Sequence, residues 1–252
     1  MGWLLGRLVG LAAVAERRFA RMQGKGLGST VAQELDQALS FSSREGLFVD
    51  VGGNKGEYTA ELLKRVPNAR VCVYEPSKLN VDLLRERFAD EAGVEVCGFG
   101  LSDNDSDAVL FADKEGSGLA SLVKRRLEHV GRSFDWAEPV ATRRFAGHWA
   151  TTLKKQEISL FKIDVEGLEL SVLLGMGDAI EHCEVIQFEF GGTHIDSRSF
   201  FRDFWYFFEG RSFDIYRIAP RGPVRVSRYS ESDEYFAGPT NFLAVRRELQ
   251  SL

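Results

Sequence analysis

From residue 44 onward the chain alternates short apolar runs with segments whose apolar positions recur at helical spacing. Leu47 to Val51 reads as a strand that ends in Gly52-Gly53, Arg70 to Tyr74 as a second and Val94 to Leu101 as a third. Between them, Tyr58 to Val66 reads as a helix stopped by Pro67. Ser77 to Phe88 reads as another, with Ser77 as its cap and Leu79, Leu83 and Leu84 at the inward spacing. Further along, Ile158 to Ile163 and Glu184 to Phe188 are strands, separated by a helix over Leu168 to Leu174. The aromatic segment Phe200 to Phe208 predicts a helix, and Phe213 to Ile218 and Asn241 to Val245 close the pattern as strands. Short, nearly all-apolar strands separated by helices predict a parallel sheet covered on both faces. The expected fold is α/β, a doubly wound, mostly parallel seven-stranded sheet within one domain over residues 44–252.

Two stretches break that rhythm. Residues 1–43 read as a helical extension, with Leu4, Leu8, Leu11 and Ala15 at helical spacing beside Trp3. The apolar run is too short to span a bilayer, and Arg7 interrupts it. Such a helix packs on its own domain or on a second copy as a homodimer. Alternatively, residues 3–21 make a peripheral membrane contact with the help of Arg17, Arg18 and Arg21. Met22 to Ser29 is Gly-rich and reads as a hinge or loop. The second break is an insertion over about residues 104–150, polar and then basic, with short strands at Ala108–Phe111 and near Val140. It reads as β-hairpin and loop, a natural place for substrate selection.

Charge and cysteine usage narrow the function. A formal net charge of −5 argues against non-specific nucleic-acid binding, so no nucleic-acid partner is expected. Cys72, Cys97 and Cys183 stand far apart with no CxxC, so neither a disulfide framework nor a cysteine-rich zinc site is expected. Free thiols suit a reducing, cytoplasmic location.

In a doubly wound sheet the ligand sits beyond the carboxyl ends of the strands. The first strand runs into Asp50-Val51-Gly52-Gly53-Asn54-Lys55-Gly56-Glu57-Tyr58-Thr59. Only one of the three dinucleotide-motif glycines is matched, and no P-loop string is present. An acid before the first glycine favours a cationic ligand, and S-adenosylmethionine, with a sulfonium and an amine but no phosphate, suits this loop better than NAD does. Glu75-Pro76 follows the second strand, 23 residues after Gly52, where a carboxylate can accept from a ribose diol. Gly100-Leu101-Ser102-Asp103 ends the third strand and is placed to line an adenine. Lys162, Asp164 and Glu166 would share a face at the end of the Ile158–Ile163 strand, if extended geometry persisted. Glu189, His194 and Asp196 follow the next strand, and imidazole chemistry makes His194 a candidate general base or an ordinary loop histidine. Asp164, Glu189 and His194 form a loose oxygen-and-nitrogen set, but no ligand spacing supports a metal, and none is expected.

The strings LFVDVGGNKGEYT, YEP at Tyr74–Pro76, GLSD at Gly100–Asp103 and KIDVEGLELSVLLG at Lys162–Gly175 resemble the FkbM-type methyltransferases. That resemblance runs over roughly residues 44–246 and implies a class I, Rossmann-like, S-adenosylmethionine-dependent enzyme that methylates hydroxyl oxygens of sugars, glycans or natural products. It implies a cofactor site of Asp50, Gly52, Gly53, Asn54, Gly56, Tyr58, Thr59, Glu75, Pro76, Leu101, Ser102, Asp103 and Asp164. It implies that Asp164 and Glu166 border the acceptor site. Beside it, the polar groups gathered at adjacent strand ends make Lys162, Glu166, Glu189 and Asp196 the expected acceptor contacts, and Asp164 or His194 the expected base, with Glu166 as a further catalytic candidate. The alternative is a methyltransferase-like module that binds a ligand or partner without catalysis.

Overall fold

A computed structural model describes residues 2–26 and 29–248. Two helices come first, α1 (Gly2–Met22) and α2 (Val31–Leu39), the second capped by Thr30 and Gln33 in a reciprocal box. There follow β1 (Leu47–Val51), α3 (Glu57–Arg65), β2 (Val71–Tyr74), α4 (Lys78–Arg87), β3 (Val94–Cys97) and the two-residue β4 (Gly100–Leu101). The insertion supplies β5 (Ser106–Ala112) and β6 (Trp136–Arg143), followed by α5 (Phe145–Thr151). The sheet resumes with β7 (Ile158–Ile163), α6 (Glu169–Gly175) and β8 (Cys183–Phe190). The chain then forms α7 (His194–Ser197), α8 (Phe201–Glu209), β9 (Phe213–Arg217), β10 (Val224–Val226) and β11 (Thr240–Arg246).

The main sheet has the order β10-β9-β11-β8-β7-β1-β2-β3. From β8 to β3 the pairing is parallel, whereas β11 pairs antiparallel with β8 and β9. The doubly wound α/β reading therefore holds, with eight strands rather than seven because the short β10 extends one edge. Every side chain of β1 and of β7 is buried, the signature of strands covered on both faces. Two apolar clusters flank the sheet. One joins α5, α6 and α8 to it, and the other joins α2, α3 and α4. Leu35, Ala38 and Leu39 of α2 lie in the second cluster, so the packed body begins before residue 44.

Several local expectations change. The third strand ends at Cys97, and Gly100–Leu101 turns away to pair with β6 in a separate three-stranded sheet of order β4-β6-β5. The inward face of α4 is Asn80, Val81 and Leu84, while Leu79 and Leu83 are exposed. Ser77 makes no side-chain cap; its hydroxyl is buried without a hydrogen-bond partner, and its backbone N–H donates to the Glu75 carboxylate at 2.9 Å. The aromatic stripe of α8 is core: Phe201, Phe204, Phe207 and Phe208 are buried, and Phe204 stacks on Phe188. Among the described residues no helix is long and apolar enough to cross a membrane. The side chains of Trp3, Leu4, Leu8 and Leu11, and Leu27 and Gly28 of the expected hinge, lie outside the described residues.

Candidate active site

The turn after β1 is shaped by backbone demands. Gly52 sits at φ +79°, and a Cβ there would lie 1.9 Å from the carbonyl oxygen of Asp164. Only glycine lets the two strand ends approach so closely. Gly52 and Gly53 both donate their N–H groups to the Tyr74 carbonyl oxygen, at 2.9 and 3.1 Å. Asn54 continues the turn at positive φ, and Gly56, also left-handed, opens α3. Glu75 then ties the loop to the end of β2. Its Oε2 accepts from Asn54 N–H at 2.8 Å and its Oε1 from Ser77 N–H. Burial pushes this carboxyl upward, and the two backbone donors oppose that.

These strand ends line a cavity that opens to solvent. Its sheet side comprises Gly52, Asn54, Glu75, Pro76, Asn80, Leu101, Asp164 and Glu166. Its roof comes from the insertion, with Leu110, Ser117, Gly118 and Ala120–Leu122. A second cavity meets the first at Gly52, Asn54 and Asp164, and is lined by Gly53, Tyr58, Lys162, Glu189 and Glu34 among others.

Below the loop lies a buried charge network. Lys162 Nζ is 2.9 Å from Asp50 Oδ1 and 3.8 Å from Asp164 Oδ2. The other oxygen of Asp50 accepts from Thr59 at 2.8 Å. Desolvation opposes the Lys162 charge, but Asp50 and Asp164 outweigh it and raise its pKa. Asp50 and Thr59 therefore line neither cavity; they hold the ammonium that faces the second one.

The carboxyl groups around the junction outnumber the one ammonium among them, and burial with crowding raises their pKa values. Asp164 opens into the cleft with 46% of its side chain exposed; partial desolvation at the strand end raises its carboxyl, Lys162 opposes this, and Glu169 and Asp50 add to the rise. Burial and Asp164 push Glu166 up to about 8, although Arg125 lies 3.0 Å away. Glu189 is raised well above the usual range by burial and by the same neighbours. A cationic ligand is what such a group of acids accommodates best.

The turn from Asp164 to Gly167 does not continue the strand. Glu166 takes φ +58° and points toward Arg125, so Lys162, Asp164 and Glu166 do not share one face. The turn is held by Glu169, which accepts from Val165 N–H at 2.9 Å and Gly167 N–H at 3.0 Å. His194 stands behind it, fully buried, with Nε2 2.9 Å from Glu169 Oε2 and Nδ1 accepting from Gly191 N–H. Since Nδ1 accepts, Nε2 is the nitrogen left beside the carboxylate. His194 and the backbone donors outweigh burial and lower the Glu169 pKa. His194 consequently reaches neither cavity, which removes it as a base and separates it from the loose set with Asp164 and Glu189.

The remaining expected residues divide. Leu101 and Pro76 line the first cavity, but Ser102 and Asp103 do not; they turn outward and bond each other at 3.1 Å. Gly56 shapes the helix start without lining either cavity, and Tyr58 donates to Gln187 beside the second. Asp196 pairs with Arg125 at 3.5 Å instead of facing the cleft. Sequence reasoning missed Asn80, the Ser117–Leu122 roof and Glu34, and the pairing of Arg125 with Glu166.

The Methyltransferase FkbM domain matches residues 50–215. "Methyltransferase 1" of Beauveria bassiana is 24% identical over 156 residues, 56% of this chain and 62% of that protein. "Methyltransferase sdnD" of Sordaria araneosa is 26% identical over 164 residues, 55% of this chain and 62% of that protein. The match thus spans about three fifths of each relative's length. The solved structure of Methyltransferase FkbM from Methylobacillus flagellatus is 20% identical, with a TM-score of 0.49, covering 79% of this chain and 43% of that one. The domain match starts at the buried acid of the first strand and takes in both cavities' strand ends, so the chain belongs to the FkbM methyltransferase family.

Proposed function

We propose that this methyltransferase uses S-adenosylmethionine and transfers its methyl group to a hydroxyl oxygen of a sugar, glycan or natural-product acceptor. The observation that carries the reading is the first cavity, where a glycine cradle, a buried carboxylate and a crowd of acids meet. The residues fit the cofactor. Asn80 Oδ1, on the cavity wall, is buried without a hydrogen-bond partner, and a ligand donor would satisfy it. Glu75 retains acceptor capacity for a ribose diol beside its two backbone bonds. Leu101 offers an apolar wall to an adenine, and Asp164 and Glu166 offer negative charge to a sulfonium and an ammonium.

When bound, the cofactor supplies an electrophilic methyl. The chain's part is to align the acceptor, an effect worth up to about 7–11 kcal/mol in well-oriented reactions. Glu166, half ionised near pH 8, takes the proton from the acceptor hydroxyl, and Asp164 holds that hydroxyl. Lys162 and Glu189, in the adjoining cavity, bind further acceptor hydroxyls. The three buried free thiols fit a reducing, cytoplasmic setting, and α1 is assigned to a homodimer or a membrane surface.

Calorimetric titration with S-adenosylmethionine, its demethylated product and NAD tests the cofactor assignment. The first two bind, and Glu75→Ala weakens both. NAD binding, or binding of none of the three, overturns it.

A further inference from the structure

Cys72 and Cys97, 25 residues apart in the chain, meet in the folded protein with Sγ 3.5 Å from Sγ. Cys72 lies in β2 and Cys97 ends β3, the edge strand of the main sheet. His148, on α5, closes the group, and one ligand atom from each of the three lies within 4.8 Å of the others. We propose that Cys72, Cys97 and His148 form a binding site for a single zinc ion, separate from the methyl-transfer cavity.

The donor set selects the ion. Two sulfurs and an imidazole suit zinc or another thiophilic metal, not magnesium or calcium, which take oxygen. Zinc–sulfur bonds of about 2.3 Å at the tetrahedral angle require sulfurs about 3.8 Å apart. The observed 3.5 Å therefore needs only a small adjustment. The imidazole is already oriented, because the Tyr74 hydroxyl lies 2.7 Å from Nδ1 and the rings of Tyr74 and Phe99 meet it edge-on. Metal-binding histidines are commonly fixed by such neighbours. An entry path exists, since His148 is half-buried and Cys97 sits on the sheet edge. An ion there would pin the edge strand and α5 to β2 directly beneath Tyr74 and Glu75, and so brace one end of the cavity.

The test uses the full chain, purified under reducing conditions, stripped with a chelator and titrated with Co²⁺ and then Zn²⁺, with no cofactor present. The expected result is one ion per chain. Cobalt should give a thiolate charge-transfer band and tetrahedral visible bands, displaced by zinc, and zinc should raise the melting temperature. Cys97→Ser and His148→Gln lose the band, and Cys183→Ser, whose thiol lies elsewhere in the core, keeps it. A wild-type protein that takes up no metal while its melting transition is intact overturns the proposal without any variant. So does a band that survives Cys97→Ser. Because no cofactor is added, failure here leaves the cofactor assignment untouched.

Discussion

The two walls of the first cavity are built differently. The sheet-end wall is fixed by backbone bonds and buried charge: Gly52 and Gly53 donate to Tyr74, Asp164 N–H to Val51, and Lys162 sits between Asp50 and Asp164. The insertion pairs by backbone only with β4, and its roof over the cavity meets β7's end through side chains. Ser121 donates to the Glu166 carbonyl oxygen at 2.9 Å, and Arg125 pairs with Glu166 and Asp196. Its other ion pairs, Lys124 with Asp135 and Arg132 with Asp113, involve largely exposed cations. A wall that binds an invariant cofactor gains from rigidity, whereas one that meets the acceptor can vary without disturbing the sheet.

The difference breaks most visibly at Lys162. Replacing it with Met strands the Asp50 carboxylate, which is 1% exposed, and should cost about 3–5 kcal/mol in a urea denaturation. The double variant Lys162→Met/Asp50→Asn should recover most of that loss, since it removes both charges. Arg125→Met on the other wall should cost far less, because Glu166 already holds its proton up to about pH 8. Equal losses on the two walls would end the distinction.

Cofactor affinity sharpens it next. Glu75→Ala removes an acceptor worth about 1.5–3 kcal/mol when charged, so the Kd for S-adenosylmethionine should rise more than tenfold. Ser121→Ala should leave it within about twofold, the scatter of surface changes. A smaller effect comes from pH. Burial raises Glu166 to about 8, so its proton must leave before its charge can meet a sulfonium. Affinity for S-adenosylmethionine should therefore rise as pH climbs through about 8. Affinity for the demethylated product, which lacks the sulfonium, should rise less, and Glu166→Gln should flatten the difference. Parallel titrations at several pH values decide it.

The sheet wall was legible because its parts are local in the chain. Apolar runs marked β1, β2 and β7, and the residues just past them, Gly52, Asn54, Glu75 and Asp164, follow from strand direction alone. The insertion wall was not legible, since nothing in Ser117–Leu122 distinguishes a polar loop over a cavity from one over solvent. His194 misled for the related reason that a histidine after a strand reads the same whether it faces a cleft or a buried Glu169. Leu79 and Leu83 fit an inward helical stripe as well as Val81 and Leu84 do, and only the sheet beneath α4 chooses between them. The Cys72–Cys97 contact arises from the parallel pairing of β2 with β3, which no spacing rule between two lone cysteines encodes.

The finest distinction lies at the one place where the walls touch by charge. Arg125 is the cation nearest Glu166, and it holds that carboxyl lower than burial and Asp164 alone would leave it. Removing it in Arg125→Ala should push the Glu166 pKa above 8, since the charged form loses its partner and the neutral form loses nothing. If Glu166 is the base, the turnover–pH profile should move to higher pH. Activity at pH 7 then falls, roughly tenfold for every pH unit that the profile moves, and returns at high pH. A purely structural role for Arg125 would instead lower turnover equally at every pH, or raise the acceptor KM without moving the profile. An unmoved profile would take Arg125 out of the proton's path and leave the insertion wall with binding alone.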